Sequence, residues 1–131
     1  MPGVDFNHAM VYSRDVAAAS EFYQKLGFEL LEIYEDQGLQ VYARLKAPVG
    51  SNTIALHLLE PGKDLSPGAV RLYFEVRNLE AVCKRLEKGG VKFTKPPKLM
   101  PWGWKHAYLD DPDGHEVSLY SAGAKRLKKA K

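Results

Sequence analysis

The side chains best suited to chemistry recur at every second position of strand-like segments. In the segment Val70–Val76, Arg71, Tyr73 and Glu75 alternate with apolar residues, so the two sets should face opposite sides of a strand. The same alternation assigns further residues to the side of a sheet that faces away from a helix: His8, Met10, Tyr12, Ala55, His57, Leu59, Trp104, His106, Tyr108, Glu116, Ser118 and Tyr120. A sheet face with histidines, an arginine, glutamates and aromatic rings is typical of a wet ligand cavity rather than of a core.

Several of these side chains allow two interpretations. Arg71 could clamp the carboxylate or phosphate of a substrate, or it could form a structural ion pair with Glu75 or Glu116. His106 and Tyr108 could exchange protons or hydrogen bonds with a ligand, or they could only line the cavity.

The two tryptophans, a histidine and the single cysteine also allow a chemical or a structural interpretation. Trp102 and Trp104 could stack on a flat ligand or cover the rim of the cavity. His115 follows a turn and is expected to be exposed. Cys83 lies on an apolar helical stripe and is expected to be an inert buried thiol. The sequence contains no Ser-His-Asp set, glycine-rich phosphate loop or nucleic-acid motif.

The elements that must position these residues follow the same pattern in both halves of the chain. A strand precedes a helix that has Asp15 or Asn78 as its N-cap and Gly27 or Gly90 at its end. Three strand-like segments then follow in each half. The predicted strands are 7–12, 29–35, 40–46 and 53–59 in the first half, and 70–76, 91–95, 104–109 and 116–120 in the second.

The two halves also align with each other, which indicates an internal duplication. A shift of 63 residues places His8 on Arg71 and runs without a gap as far as Phe28. At the ends of the two modules a shift of 61 residues pairs His57 with Ser118, and two loop residues would explain the difference. The matching caps at both helix ends favour duplication over chance similarity.

The composition predicts one ordinary folded domain. The chain has 131 residues, of which 45% are hydrophobic, and its single cysteine excludes an internal disulfide framework and a cysteine-rich zinc site. No apolar run approaches the roughly 20 residues of a membrane span. No secretory signal is visible, so we expect a cytoplasmic protein that does not bind membranes.

The net charge of +3 is concentrated at the C-terminus. Removing the five basic residues of segment 125–131 leaves a charge of −2; they are Lys125, Arg126, Lys128, Lys129 and Lys131. No aromatic residue lies among them as a stacking platform. We therefore interpret the segment as a solvated basic tail and expect no nucleic-acid partner.

With these patterns, the sequence resembles the vicinal oxygen chelate superfamily, which includes glyoxalase I, bleomycin-resistance proteins, fosfomycin-resistance enzymes and extradiol dioxygenases. The resemblance is carried by the stretch from His8 to Phe28, by Phe74-Glu75-Val76, by Pro101-Trp102-Gly103 and by Asp110-Asp111-Pro112-Asp113-Gly114-His115. It implies an α+β fold of two βαβββ modules, whose curved mixed sheets form a cup that is often completed in a homodimer.

The resemblance also implies where a metal ion would bind. Members that hold a divalent ion use one side chain from the first and one from the last strand of each module, which here are His8, His57, Arg71 and Ser118. The two histidines suit zinc, nickel, manganese or iron, whereas a guanidinium offers no lone pair. Glu116, two residues before Ser118, could supply the missing carboxylate and act as the catalytic group.

The resulting prediction is a glyoxalase-like small-molecule enzyme with metal-assisted lyase or isomerase chemistry. The alternative is a metal-free protein, similar to bleomycin-resistance proteins, that binds and sequesters a small and anionic organic molecule. The predicted substrate-binding residues are Arg71, Trp104, His106, Tyr108 and Ser118. We expect one domain over residues 1–124, with modules at about 5–60 and 69–121, and a homodimer.

Overall fold

Each half of the chain forms a βαβββ unit, as the repeated sequence pattern predicts. The computed structural model describes residues 3–66, 68–123 and 127, and the chain divides into the units Met1–Pro67 and Gly68–Lys131. Each unit has one helix and one four-stranded mixed sheet. The predicted α+β class and the predicted two βαβββ modules are confirmed.

The first unit consists of β1 (His8–Ser13), α1 (Val16–Lys25), β2 (Glu29–Asp36), β3 (Leu39–Lys46) and β4 (Thr53–Leu58). Its strands lie in the order β1-β4-β3-β2, in which only β1 and β4 are parallel. The carboxylate of Asp15 accepts a hydrogen bond from the backbone N–H of Ala18 at 3.0 Å, which fixes the start of α1.

The second unit repeats this order with β5 (Arg71–Glu75), α2 (Leu79–Lys88), β6 (Lys95–Leu99), β7 (Lys105–Asp110) and β8 (Glu116–Ser121). Its sheet has the order β5-β8-β7-β6, and β5 is parallel to β8. The side chain of Asn78 caps α2 by accepting a hydrogen bond from the N–H of Ala81 at 3.2 Å.

The apolar positions of each sheet form a core with the helix of the same unit. Helix α1 contacts β3 and β4, where Leu45 and Leu56 are fully buried. Helix α2 contacts β6, β7 and β8 and buries Leu79, Cys83 and Leu86. The side chains at alternate positions of the strands therefore lie on the sheet face away from the helix.

One strand differs from the sequence-based prediction. The segment 91–95 was expected to be a strand because it contains Val91 and Phe93, but β6 is Lys95–Leu99. Val91 instead closes the end of α2, since its N–H bonds the carbonyl of Leu86 at 3.0 Å and its side chain is buried. The Pro-Pro pair of β6 is tolerated because β6 lies at the sheet edge, where not every N–H must pair.

The strand register also corrects the predicted alignment of the two halves. His8 lies opposite Thr53 in the first unit, and Arg71 lies opposite Glu116 in the second. The two partners of each pair are 45 residues apart in sequence. The shift of 63 residues that aligns β1 with β5 therefore also aligns the last strands, β4 and β8. His57 is therefore equivalent to Tyr120 rather than to Ser118, because a slip of two residues leaves the alternation of the strand unchanged.

Two further predictions concern the ends of the chain and membranes. The basic residues predicted to form a tail, Lys125, Arg126, Lys128, Lys129 and Lys131, lie outside the described residues. Within the part of the chain that the structure describes, neither helix has the length and apolar character needed to cross a membrane.

Candidate functional site

The second unit has a cavity of about 480 Å³ on the sheet face away from α2. This volume is within the usual range of small-molecule sites. The cavity, called the aromatic pocket below, is lined by Arg71, Tyr73, Thr94, Lys95, Trp102, Trp104, His106, Tyr108 and Glu116.

The aromatic rings of the pocket are arranged in a parallel row because alternate residues of one strand project to the same side. The rings of Trp104 and His106 are stacked at 6.0 Å and 13°, and those of His106 and Tyr108 at 5.6 Å and 7°. Tyr120 of β8 adds a ring stacked on Trp104 at 5.3 Å. Tyr73 meets His106 edge-on at 6.1 Å. Trp104, His106 and Tyr108 of this row line the pocket with aromatic rings.

Two cations and one carboxylate line the same pocket. Arg71 and Glu116 are direct neighbours in the pairing of β5 with β8, yet the described residues contain no ion pair between Arg71 and any carboxylate. The ammonium of Lys95 lies 5.5 Å from the ring centre of Tyr108. The guanidinium of Arg71 is thus available to an anion from solution.

His106 is the most buried polar group of the pocket lining, with 3% of its surface exposed. Its Nδ1 lies 2.7 Å from the hydroxyl oxygen of Ser118, which is itself buried. Its Nε2 is buried and has no hydrogen-bond partner among the described residues. Burial lowers the pKa of His106, so the imidazole is neutral at physiological pH.

The phenol of Tyr108 is also held in its neutral form. Burial is the largest cause that raises the pKa of Tyr108, followed by the nearby Tyr73 and Glu116, while Arg71 acts in the opposite direction. The permanent charges of the pocket lining therefore come from Arg71, Lys95 and Glu116.

The pocket brings together most of the residues that the sequence singled out for chemistry. Arg71, Trp104, His106, Tyr108 and Glu116 line it. Ser118 lies next to it through its hydrogen bond with His106. All six belong to the second unit.

The two histidines of the first unit lie on neighbouring strands at different register positions. His8 lies opposite Thr53, and His57 lies opposite Tyr12, four residues further along β1. Four residues span about 13 Å of a strand, measured along the backbone. Nδ1 of His8 lies 3.0 Å from the hydroxyl of Thr53, and Nδ1 of His57 lies 2.8 Å from the carbonyl of Leu58.

Of the four positions suggested for a metal ion, the two in the second unit do not offer free ligands. In the second unit, Arg71 has no lone pair to donate, and the hydroxyl of Ser118 is engaged by His106.

A different cluster of potential metal ligands lies in the turn before β8. One ligand atom from each of Asp111, Asp113 and His115 lies within 4.8 Å of the others, so these residues could hold a metal ion. His115 was expected to be exposed, and this was wrong because only 4% of its surface is accessible. Oδ1 of Asp111 accepts hydrogen bonds from the N–H groups of Asp113 and His115, which folds the turn back on itself.

Sequence reasoning did not assign Thr94 or Lys95 to the site. Both were placed in a strand over 91–95, but the ladder with β7 begins only where the N–H of Thr94 bonds the carbonyl of Tyr108 at 2.8 Å. The apolar residues Val91 and Phe93 suggested that this strand starts earlier than it does. No local signal in the sequence marks its correct start.

Comparisons with known proteins agree with the fold. A family model described as the Glyoxalase/Bleomycin resistance protein/Dioxygenase superfamily matches residues 5–119. A solved structure of a member of that superfamily from Sphaerobacter thermophilus is 29% identical, with a TM-score of 0.72, and the match covers 91% of this chain and 98% of that chain.

Two more distant structures are similar in fold alone. A glyoxalase/bleomycin resistance protein/dioxygenase from Nocardioides is 21% identical, with a TM-score of 0.75 over 99% of this chain and 92% of that chain. TioX from Micromonospora sp. ML1 is 19% identical, with a TM-score of 0.71 over 90% of this chain and 98% of that chain. A search among curated proteins found no match.

Proposed function

Because the chain belongs to the glyoxalase/bleomycin resistance protein/dioxygenase superfamily, we propose that its second unit binds a flat, anionic small organic molecule in the aromatic pocket without a metal ion. The observation that carries this proposal is the combination of stacked rings with an arginine that has no ion pair among the described residues. Superfamily membership by itself does not distinguish between the chemistries that one fold can support.

The arrangement of charge supports an anion rather than a cation as ligand. Arg71 and Lys95 outnumber Glu116 in the lining, and Arg71 can form two parallel hydrogen bonds with a carboxylate. A hydrogen bond to a charged group contributes roughly 1.5–3 kcal/mol when it is formed. Stacking between aromatic rings adds about 0.5–1.5 kcal/mol beyond the area buried.

Glu116 has a different part in this proposal from the catalytic part expected from the sequence. Its carboxylate stands opposite Arg71 and repels a second negative charge on a ligand. The pocket should therefore prefer a ligand with one acidic group.

The metal-assisted enzyme remains the competing hypothesis, and it is less well supported. In the second unit it would gain no ligand from Arg71, which has no lone pair to donate, and the hydroxyl of Ser118 is engaged by His106. The proposal for a metal-free site is accordingly tested with and without metal ions.

The test uses 2-naphthoate as the probe and 2-naphthamide as its uncharged control, with affinities measured by isothermal titration calorimetry. Trp102 and Trp104 are the two tryptophans of the chain and both line the pocket, so quenching of tryptophan emission reports where the probe binds. We expect 2-naphthoate to bind and to quench, and 2-naphthamide to bind about tenfold more weakly, which corresponds to roughly 1.4 kcal/mol.

Arg71→Ala should weaken binding of 2-naphthoate at least about tenfold, because it removes a charge-assisted contact. Arg85→Ala is the matched control, since Arg85 is an exposed residue of α2 outside the pocket.

Glu116→Gln should strengthen binding of the probe. Binding that needs added zinc, nickel or manganese, or that is lost with a chelator, would instead support the metal-assisted enzyme.

A further inference from the structure

We propose that His106 determines the specificity of the aromatic pocket by hydrogen-bonding, through Nε2, an uncharged hydroxyl or carbonyl oxygen of the ligand. Ser118 is the positioning residue that fixes the imidazole. The inferred ligand class is an aromatic carboxylate that carries a hydroxyl or carbonyl group remote from its acidic group. This inference rests on the proposed function.

The imidazole of His106 is held firmly in place. Nδ1 is bonded to the hydroxyl of Ser118 at 2.7 Å, and Ser118 is 1% exposed. The ring is stacked between Trp104 and Tyr108, while Trp102 meets it edge-on at 5.6 Å. These contacts hold the ring in one orientation. Nε2 is then the ring nitrogen that has no hydrogen-bond partner among the described residues.

Nε2 of His106 is closed off from solvent in the unliganded protein, so a ligand reaches it only when the side chains around it move. It is buried without a hydrogen-bond partner among the described residues, although His106 lines the pocket. A buried polar atom without a partner is unfavourable, so a ligand that supplies one gains affinity relative to a ligand that does not.

The chemistry of this atom favours an uncharged partner. Burial opposes protonation of His106, so the ring offers one donor or one acceptor rather than a positive charge. A hydroxyl can bond either tautomer, because it both donates and accepts. A carbonyl can bond the tautomer that carries its proton on Nε2.

The strand register places the two recognition groups apart. Arg71 pairs with Glu116, and His106 pairs with Tyr120, which is four residues further along β8. Four residues correspond to about 13 Å. The long side chain of Arg71 can shorten this span, but a hydroxyl next to the carboxylate on the ligand would not reach His106.

The experiment compares three probes: 2-naphthoate, 6-hydroxy-2-naphthoate and 1-hydroxy-2-naphthoate. The second carries its hydroxyl on the far ring, and the third carries it beside the carboxylate. We expect the wild-type protein to bind 6-hydroxy-2-naphthoate about tenfold more tightly than 2-naphthoate, and to gain less than twofold from the hydroxyl of 1-hydroxy-2-naphthoate.

His106→Phe keeps a stacking ring and removes both nitrogens, so the preference for 6-hydroxy-2-naphthoate should fall below twofold. Ser118→Ala removes only the hydroxyl that fixes the ring and should also reduce the preference. The ratio of the two affinities is the readout, because a merely structural effect would weaken both probes alike. Circular dichroism checks that each variant is folded, and Ser118→Ala serves if His106→Phe does not fold.

The inference is overturned if the wild-type protein gains nothing from the remote hydroxyl, or if the preference survives in a folded His106→Phe variant. If 2-naphthoate binds and depends on Arg71 while the hydroxyl adds nothing, the proposed function stands and only this inference fails. If 2-naphthoate does not bind, or if Arg71→Ala has no effect on it, the proposed function itself fails.

Discussion

Burial sets the protonation state of two residues that could otherwise react, His106 and Cys83. His106 is almost fully buried among aromatic rings, and this lowers its pKa. Burial is also the main cause that raises the pKa of Cys83 to about 11, with Glu87 and Glu80 adding to it. His106 is therefore a neutral hydrogen-bonding group, and Cys83 is an unreactive thiol, as the sequence predicted.

Residue-scale titration gives a stability prediction for His106. Its folded-state pKa lies below the ordinary value of 6.5, so in acid the unfolded chain binds more protons at this residue than the folded chain. The contribution of His106 to the free energy of unfolding is therefore fully present above pH 6.5. It is lost as the pH falls towards the lowered folded-state pKa. His106→Phe should therefore lose less stability than the wild-type protein between pH 7.5 and pH 5.5, measured by urea unfolding.

The other three histidines are present in both proteins, so the difference between the two pH profiles isolates His106. Parallel profiles would contradict a lowered pKa of this residue.

At the scale of elements, the two helices begin with the same type of contact. Asp15 caps α1 and Asn78 caps α2, each by accepting a hydrogen bond from the N–H three residues later. These caps start the helices that bury Val16, Leu79 and Cys83 against their sheets. The cap of α2 thereby helps to hold the helix that packs on the sheet carrying the aromatic pocket.

Replacing either cap should destabilise the protein by a similar amount. Asp15→Ala and Asn78→Ala are each expected to reduce the free energy of unfolding by about 1 kcal/mol, since each leaves a helix N–H without its partner. Asp15→Asn and Asn78→Asp retain a capping oxygen and are the matched controls. Denaturant unfolding measures the effect, and a loss as large in the controls as in the alanine variants would rule out the capping explanation.

At the scale of the whole molecule, the chain consists of two units with the same order of elements and the same pairing of first and last strands. The equal separations within both units are what an internal duplication produces. The aromatic pocket lies entirely in the second unit. Duplicated elements have thus acquired different side chains at equivalent positions, as with His57 and Tyr120.

The superfamily resemblance leads us to expect a homodimer in solution. Light scattering coupled to size-exclusion chromatography should give twice the 14.7 kDa mass of the chain. A mass of one chain over a tenfold range of protein concentration would contradict the dimer, and it would leave the pocket proposal unaffected.

The sequence by itself determined the features that depend on local physics. The caps at Asp15 and Asn78 predicted where the helices begin, because a capping side chain acts within one turn. The alternation of polar and apolar residues predicted that Trp104, His106 and Tyr108 share one sheet face, since the period of a strand is a local property.

Only the tertiary structure decided the features that depend on distant contacts. A slip of two residues preserves the alternation, so the sequence could not show that His57 lies opposite Tyr12. The burial of His115 likewise depends on a turn closed by Asp111. Register and burial are set by which strands pair and which surfaces pack, and a sequence pattern contains that information only indirectly.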